Sequence, residues 1–235
     1  MRFAGIIFDF DGVLLESEYV GNQQLAAYLT GIGHPITPEQ SMDQFMGLSG
    51  GAFIGAVEGW IGRPLPADFH AEREIENERV LREGIEAVAG AVDFVRGLPA
   101  DLPRAIASSS STHWIRTHLD HLGLRDAFEP NIFSGHEHVA RGKPAPDLYW
   151  HAAKAIGVDI ADCVILEDSV VGATGATASG AFVIGFCAGT HCSDDHAARL
   201  RALGVDAIAH DFSEVSALIG RDEHSSPITI PGGHR

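Results

Sequence analysis

Apolar residues come in short unbroken runs along this chain, and most of the runs end in polar residues of a catalytic kind. Phe3 to Phe8 is the first run, and Asp9 and Asp11 follow it. Arg104 to Ala107 ends in four serines, Ser108 to Ser111. Asn131 to Phe133 is a weaker run; Cys163 to Leu166 ends in Glu167-Asp168; Ala181 to Phe186 closes near Gly189. Runs this short, without alternation of polar and apolar positions, predict strands buried on both faces. Segments with helical spacing separate them. Thr112 to Leu122 carries Trp114, Ile115, Leu119 and Leu122 on one face; Ala145 to Ile156 is opened by Pro144 and Pro146; Val171 to Ser179 is rich in Ala and Gly. Strands alternating with helices predict an α/β fold with a parallel sheet and right-handed crossovers.

From Glu16 to about Ala87 the alternation stops. No strand is expected there, and helical pieces start near Ser17, Pro38, Gly50 and Pro66. This predicts a small all-helical domain (residues 16–87) inserted after the first strand, with the sheet domain made of residues 1–15 and 88–220. Residues 221–235 have loop composition and read as a tail. No internal repeat or low-complexity block stands out.

Composition narrows the function. The chain has 235 residues, 45% of them hydrophobic and 20% charged, which predicts a globular protein. The formal net charge of −16 argues against nucleic acid as a partner, since phosphate backbones need basic surface. No apolar run approaches the ~20 residues of a membrane-spanning helix, so no membrane partner is expected. The acids at 9 and 11 interrupt the first apolar segment, which does not read as a secretory signal. Three cysteines, Cys163, Cys187 and Cys192, form no even framework, and a cytoplasmic location is the expectation. Oligomeric state is not legible.

In a parallel sheet the carboxyl ends of the strands share one edge, and ligands bind there. That would bring together Asp9 and Asp11, Ser108, Lys143, and Glu167 with Asp168. Clustered carboxylates are costly unless a divalent cation neutralises them. A nucleophilic carboxylate, a second one to move protons, a hydroxyl, an ammonium and a cation site are what phosphoryl transfer needs.

The same residues carry a resemblance. Asp9-Phe10-Asp11-Gly12-Val13-Leu14, Ser108, Gly142-Lys143-Pro144-Ala145-Pro146-Asp147 and Leu166-Glu167-Asp168-Ser169 are similar, in order and spacing, to the four motifs of the haloacid dehalogenase-like hydrolase superfamily. The resemblance runs to about Gly220, and its nearest subgroup holds β-phosphoglucomutase and sugar-phosphate phosphatases. It implies a Rossmann-like core with a helical cap. It implies Asp9 as nucleophile, Asp11 as general acid/base, and Ser108 and Lys143 as ligands of the phosphoryl group, with Ser109 the alternative if the serine register is off by one. It implies Mg²⁺ held by the Asp9 carboxylate, the Asp11 main-chain carbonyl and Asp168, with Glu167 either a direct ligand or a helper behind it. The amides of Phe10 and Asp11 would face phosphoryl oxygens. The expected substrate is a small phosphorylated metabolite.

Within the superfamily, an acid at position 11 implies phosphate-ester chemistry, because an alkoxide leaving group needs a proton. Two departures then imply hydrolysis rather than a mutase. The cap histidine of the mutase pattern is replaced by Gly21, and the run Gly47-Leu48-Ser49-Gly50-Gly51 lacks the arginine expected for a distal phosphate. Arg63 or another cap cation remains as a substitute. A rival of another class, a receiver-like phosphoacceptor module, also combines acids, Ser/Thr and Lys at strand ends, but it has no use for an inserted cap.

Other residues have blander expectations. Ser110 or Ser111 would cap the following helix. The groupings His118/His121, His136/His138 and His191/Cys192/His196 lack a full zinc spacing and read as solvated or capping histidines. Phe45, Met46, Phe53 and Trp60 read as the cap's own core.

Overall fold

Residues 3–45, 48 and 50–220 are described by a computed structural model. The tail from Arg221, Met46, and Gly47 and Ser49 of the glycine-rich run lie outside the described residues. The strands are β1 (Gly5–Phe8), β2 (Arg104–Ser108), β3 (Ile132–Ser134), β4 (Cys163–Glu167), β5 (Phe182–Phe186) and β6 (Ala207–Ala209). They form one six-stranded sheet in the order β3-β2-β1-β4-β5-β6, with every neighbouring pair parallel. Phe8 pairs with Ile106 on one side and Leu166 on the other, so Asp9 leaves β1 level with Ala107 and Glu167, within one residue of the carboxyl ends of β2 and β4. The chain runs outward from β1 in both directions, which makes the β1 edge the switch point where ligands bind.

The sheet is buried on both faces, and successive side chains of β1 go to opposite sides. Ile6 and Phe8 pack with Phe128, Ile115 and Phe212, while Ile7 packs with Leu148, Tyr149 and Ala176. Helices α5 (Ala91–Gly97), α6 (Thr112–Leu122), α7 (Arg125–Phe128) and α11 (Phe212–Gly220) contribute to the first layer; α8 (Asp147–Ala155) and α9 (Val170–Ser179) form the second; α10 (His196–Ala202) lies between β5 and β6. Local signals set the α6 and α9 ends. Ser111 and Ser169 accept from the amides of Trp114 and Gly172 at the two N-termini, and Gly123 and Gly180 take the left-handed backbone at the C-termini.

From Ser17 to Glu83 the described residues form four helices and no strand: α1 (Ser17–Gly31), α2 (Pro38–Phe45), α3 (Gly50–Ile61) and α4 (Phe69–Glu83). They enclose a core of their own, built on Leu25, Leu29, Phe45, Val57 and Phe69. Phe53 packs against it, but Trp60 sits on its rim, 37% exposed, with an edge-on contact to Phe45. The two connections to the sheet domain run side by side: Glu16 N donates to Glu86 O, and Val88 N donates to Leu14 O. No described helix is long and apolar enough to cross a membrane.

Three readings of the sequence need correction. β6 was not expected, because its three residues, Ala207 to Ala209, make too short an apolar run to stand out. The short helices α5, α7, α10 and α11 were not anticipated either. α8 begins at Asp147 instead of at Ala145, because the preceding loop turns on itself, with Ala145 N donating to Gly142 O.

Candidate active site

The strand ends deliver the motif residues to one place. Asp9 directly follows β1 and is pinned by its own amide, which donates to Leu166 O at 2.9 Å. Ser108 is the last residue of β2, Glu167 the last of β4, and Asp168 the next. Lys143 arrives on the loop before α8. Its Nζ lies 2.8 Å from Asp9 Oδ1 and 2.7 Å from Glu167 Oε2, and all three side chains are buried. A cavity of about 380 Å³ lies over them, lined by Asp9, Asp11, Ser108, Lys143 and Asp168 on the sheet side and by α1 and α4 on the cap side.

Charge is crowded here. Burial, together with the neighbouring Glu167 and Asp168, pushes the Asp9 carboxyl well above the usual range, against the pull of Lys143. Burial, Glu167 and Glu18 do the same to Asp168. Burial also works against the charge of Lys143, yet Asp9 and Glu167 more than offset it and hold the ammonium firmly protonated. Ligand oxygens of Asp9, Glu167 and Asp168 lie within 4.8 Å of one another. Asp168 Oδ1 is buried without a partner. An all-oxygen set with an orphaned carboxylate oxygen fits a hard divalent cation.

Glu167 is already committed. Its Oε2 accepts from Lys143 Nζ and Tyr149 OH, both at 2.7 Å, and its Oε1 accepts from the Ser169 amide (3.1 Å) and hydroxyl (2.7 Å). It orients Lys143 more than it offers itself to an ion. Gly172 makes room for it, since a Cβ there would stand 2.1 Å from Glu167 Cδ.

Asp11 sits in a ring of donors. Ser17 Oγ (2.7 Å) and Trp114 Nε1 (3.0 Å) donate to Oδ1, while Ser108 Oγ (3.2 Å) and Ser110 Oγ (2.6 Å) donate to Oδ2. In the serine run, Ser108 and Ser110 therefore reach the site, Ser109 is exposed at the cavity wall, and Ser111 caps α6. The amides of Phe10 and Asp11 have no main-chain acceptor among the described residues. Gly12 follows with φ +79°, and a Cβ there would meet Asp168 Oδ2 at 2.1 Å.

The histidines depart most from expectation. His118, His191 and His196 are buried, not solvated. His191 Nε2 lies 2.9 Å from Asp168 Oδ2, and His196 Nε2 lies 2.6 Å from the Asp168 carbonyl oxygen. Burial lowers both imidazole pKa values. Cys192 lies beside them, giving a three-residue group with donor atoms within 4.8 Å of one another. Arg63 is exposed, and the cap cation that lines the cavity is Arg73 of α4. Ser17, Ser110, Trp114, His191 and Arg73 thus join a site that sequence reasoning did not give them. Only the serine register and the open question of a cap cation pointed toward any of them.

A family model for haloacid dehalogenase-like hydrolases matches residues 3–180. The chain belongs to that family. This makes it a hydrolase and removes the receiver-like reading. It is 30% identical over 192 residues to 6-phosphogluconate phosphatase of Escherichia coli (strain K12), covering 81% of this chain and 85% of that one. Among solved structures it resembles a haloacid dehalogenase-like protein of unknown function from Agrobacterium tumefaciens str. C58, with a TM-score of 0.84 and 34% identity over 93% of this chain and 98% of that one. A family hydrolase from Deinococcus radiodurans R1, solved with bound phosphate and sodium, gives a TM-score of 0.82 and 31% identity over 93% of this chain and 96% of that one.

Proposed function

We propose that this enzyme is a Mg²⁺-dependent phosphatase that hydrolyses a small phosphate monoester, a sugar or sugar-acid phosphate, through a phosphoaspartate on Asp9. One observation carries the reading: two carboxylates with opposite surroundings face one cavity. Asp9 is buried against an ammonium and other acids, and Asp11 is held by neutral donors. The Lys143 ammonium, together with a bound cation, would keep Asp9 an anionic nucleophile, and the hydrogen bonds on Asp11 would hold it in orientation as the proton carrier. The phosphatase relative and the phosphate bound in the Deinococcus radiodurans homologue support the same reading.

Asp9, the Asp11 carbonyl oxygen and Asp168 would hold Mg²⁺. When bound, the cation would screen the repulsion between the anionic nucleophile and the phosphoryl oxygens. The chain's own residues do the rest. Lys143, the Ser108 hydroxyl and the Phe10 and Asp11 amides bind the phosphoryl oxygens, so Ser108 exchanges Asp11 for substrate. The Asp9 carboxylate attacks phosphorus in line, and the ester P–O bond breaks as Asp11 gives its proton to the leaving oxygen. Asp11 then takes a proton from water, whose oxygen attacks the phosphoaspartate and releases phosphate with Asp9 restored. The helical insertion, residues 16–87, acts as the cap that encloses the substrate. The three cysteines are free thiols, in keeping with a reducing cytoplasm.

The test is phosphate release from a panel of phosphorylated metabolites with Mg²⁺. The wild-type enzyme turns over repeatedly, and Asp9→Asn abolishes turnover. Near-wild-type release by that variant, after deamidation back to Asp is excluded, overturns the assignment. Interconversion of hexose phosphates that depends on bisphosphate priming would show a mutase instead.

A further inference from the structure

The cap wall of the cavity carries hydrogen-bond donors that the protein leaves unused. Gln24 of α1 has its Nε2 buried without a partner. Asn77 of α4 lines the same cavity and makes no side-chain hydrogen bond among the described residues. Between them in sequence, Arg73 of α4 lines the cavity with a half-buried guanidinium. Its one hydrogen bond is long and goes to a neutral group, Nη1 to the Gly21 carbonyl at 3.3 Å. No carboxylate lies within 4 Å of it among the described residues. Burial works against its charge, and the nearest acid influence, Glu76, does not restore it.

The chain has 32 acidic residues against 16 Lys plus Arg, and the more deeply buried Arg104, which also lacks a carboxylate among the described residues, gives its donors to three carbonyl oxygens, those of Leu102, Val95 and Pro99, where Arg73 reaches only one. Arg79, Arg116, Arg125 and Arg141 each find a carboxylate even on the surface. Lys143, the other cation of the cavity, is taken by Asp9 and Glu167. A half-buried guanidinium with no carboxylate partner among the described residues is an unmet demand that a ligand can satisfy. The phosphoryl group is bound at the opposite wall, so the partner of Arg73 must be a second group on the substrate. A neutral polyol would leave the guanidinium unpaired. A second phosphate, a dianion, would call for more than one free cation. One planar guanidinium flanked by two amides matches one carboxylate.

We infer that Arg73, with Gln24 and Asn77, forms a subsite for a carboxylate on the end of the substrate away from its phosphate, which makes the preferred substrates phosphorylated sugar acids. This rests on the proposed reading of the cavity as a phosphatase site, and it is tested by binding so that the two stand or fall separately. Asp9→Asn protein in Mg²⁺ buffer is titrated calorimetrically with 6-phosphogluconate, with glucitol 6-phosphate as its neutral counterpart, and with a hexose 1,6-bisphosphate. The acid is expected to bind roughly tenfold or more tighter than the neutral ester, and the Asp9→Asn/Arg73→Gln double variant to lose that preference. Arg73→Lys in the same background is expected to keep part of it, through charge without the planar fork. Equal binding of acid and neutral ester overturns the inference, as does a preference that persists without Arg73. Tightest binding of the bisphosphate replaces the carboxylate subsite with a second phosphate subsite. If the wild-type enzyme releases no phosphate while the binding preference holds, the phosphatase reading fails and the subsite stands.

Discussion

At the scale of single residues, the site divides into what short motifs could announce and what only folding could bring in. Asp9, Asp11, Ser108, Lys143, Glu167 and Asp168 stand out because each follows or ends an apolar run or sits in a Gly-Lys-Pro setting. Trp114 does not, because it meets Asp11 across 103 positions of sequence and otherwise looks like any aromatic on an apolar helix face. Its indole is one of four donors on the proposed proton carrier. Trp114→Phe removes that donor and keeps most of the packing. An alkyl phosphate should lose roughly tenfold in kcat, in line with one hydrogen bond to a charged group, while p-nitrophenyl phosphate, whose leaving group needs no proton, should lose much less. An equal loss on both substrates would assign Trp114 to packing. His191 was likewise hidden, since nothing near it in sequence shows that it reaches Asp168. Partners that orient a metal-binding carboxylate typically matter by about 10- to 100-fold in affinity. Calorimetric Mg²⁺ titration of substrate-free His191→Ala should show a loss of that order, with His191→Asn recovering part. Unchanged affinity would leave His191 with a packing role only.

At the scale of elements, the sheet's interior was legible and its margins were not. β1, β2, β4 and β5 are the apolar runs themselves, because central parallel strands are buried on both faces. β3 was weaker, and β6 is three residues at the sheet edge, where burial imposes little pattern. The helical insertion was legible through its punctuation, and so were Phe45 and Phe53 of its core, but the residues it turns to the cavity were not, because a cap faces both its own core and the cavity. The join between strand and helix at Glu167–Gly172 shows how tightly an element end constrains chemistry. α9 starts against the Glu167 carboxylate, and any Cβ at 172 would overlap it. Glu167 cannot yield without releasing Lys143, Tyr149 and Ser169. Gly172→Ala is therefore expected to cost about 2–3 kcal/mol in urea unfolding and to lower kcat as Lys143 shifts from Asp9. Gly59→Ala in α3, where a Cβ meets nothing within 4 Å, should instead stabilise by about 0.5–1 kcal/mol. Loss at both positions would point to a general intolerance of these helices, not to the Glu167 contact.

At the scale of the whole molecule, stability and pH are linked through groups the fold buries in one protonation state. His118 is the clearest of these. It is fully buried beneath Trp114, at 4.3 Å between ring centroids, and neither ring nitrogen has a partner. Burial lowers its pKa from 6.5 to about 4; the attraction of Asp11 opposes this and the neighbouring His121 adds to it. Below about pH 6.5 the unfolded chain takes up a proton at His118 that the folded chain refuses until about pH 4. The unfolded state then binds more protons, so stability from this residue is full above pH 6.5 and drains away as pH falls. At pH 5 the loss is about 2 kcal/mol. Asp9 and Asp168 act in the opposite sense, because their raised pKa values let the folded state take protons first. The wild-type pH profile therefore mixes both signs, and only a difference between proteins isolates the histidine. Urea unfolding of wild type and His118→Leu at pH 7.5 and pH 5 provides it. The variant should lose about 2 kcal/mol less than wild type between the two pH values, whatever its stability at pH 7.5. Parallel losses would mean that His118 is protonated inside the fold.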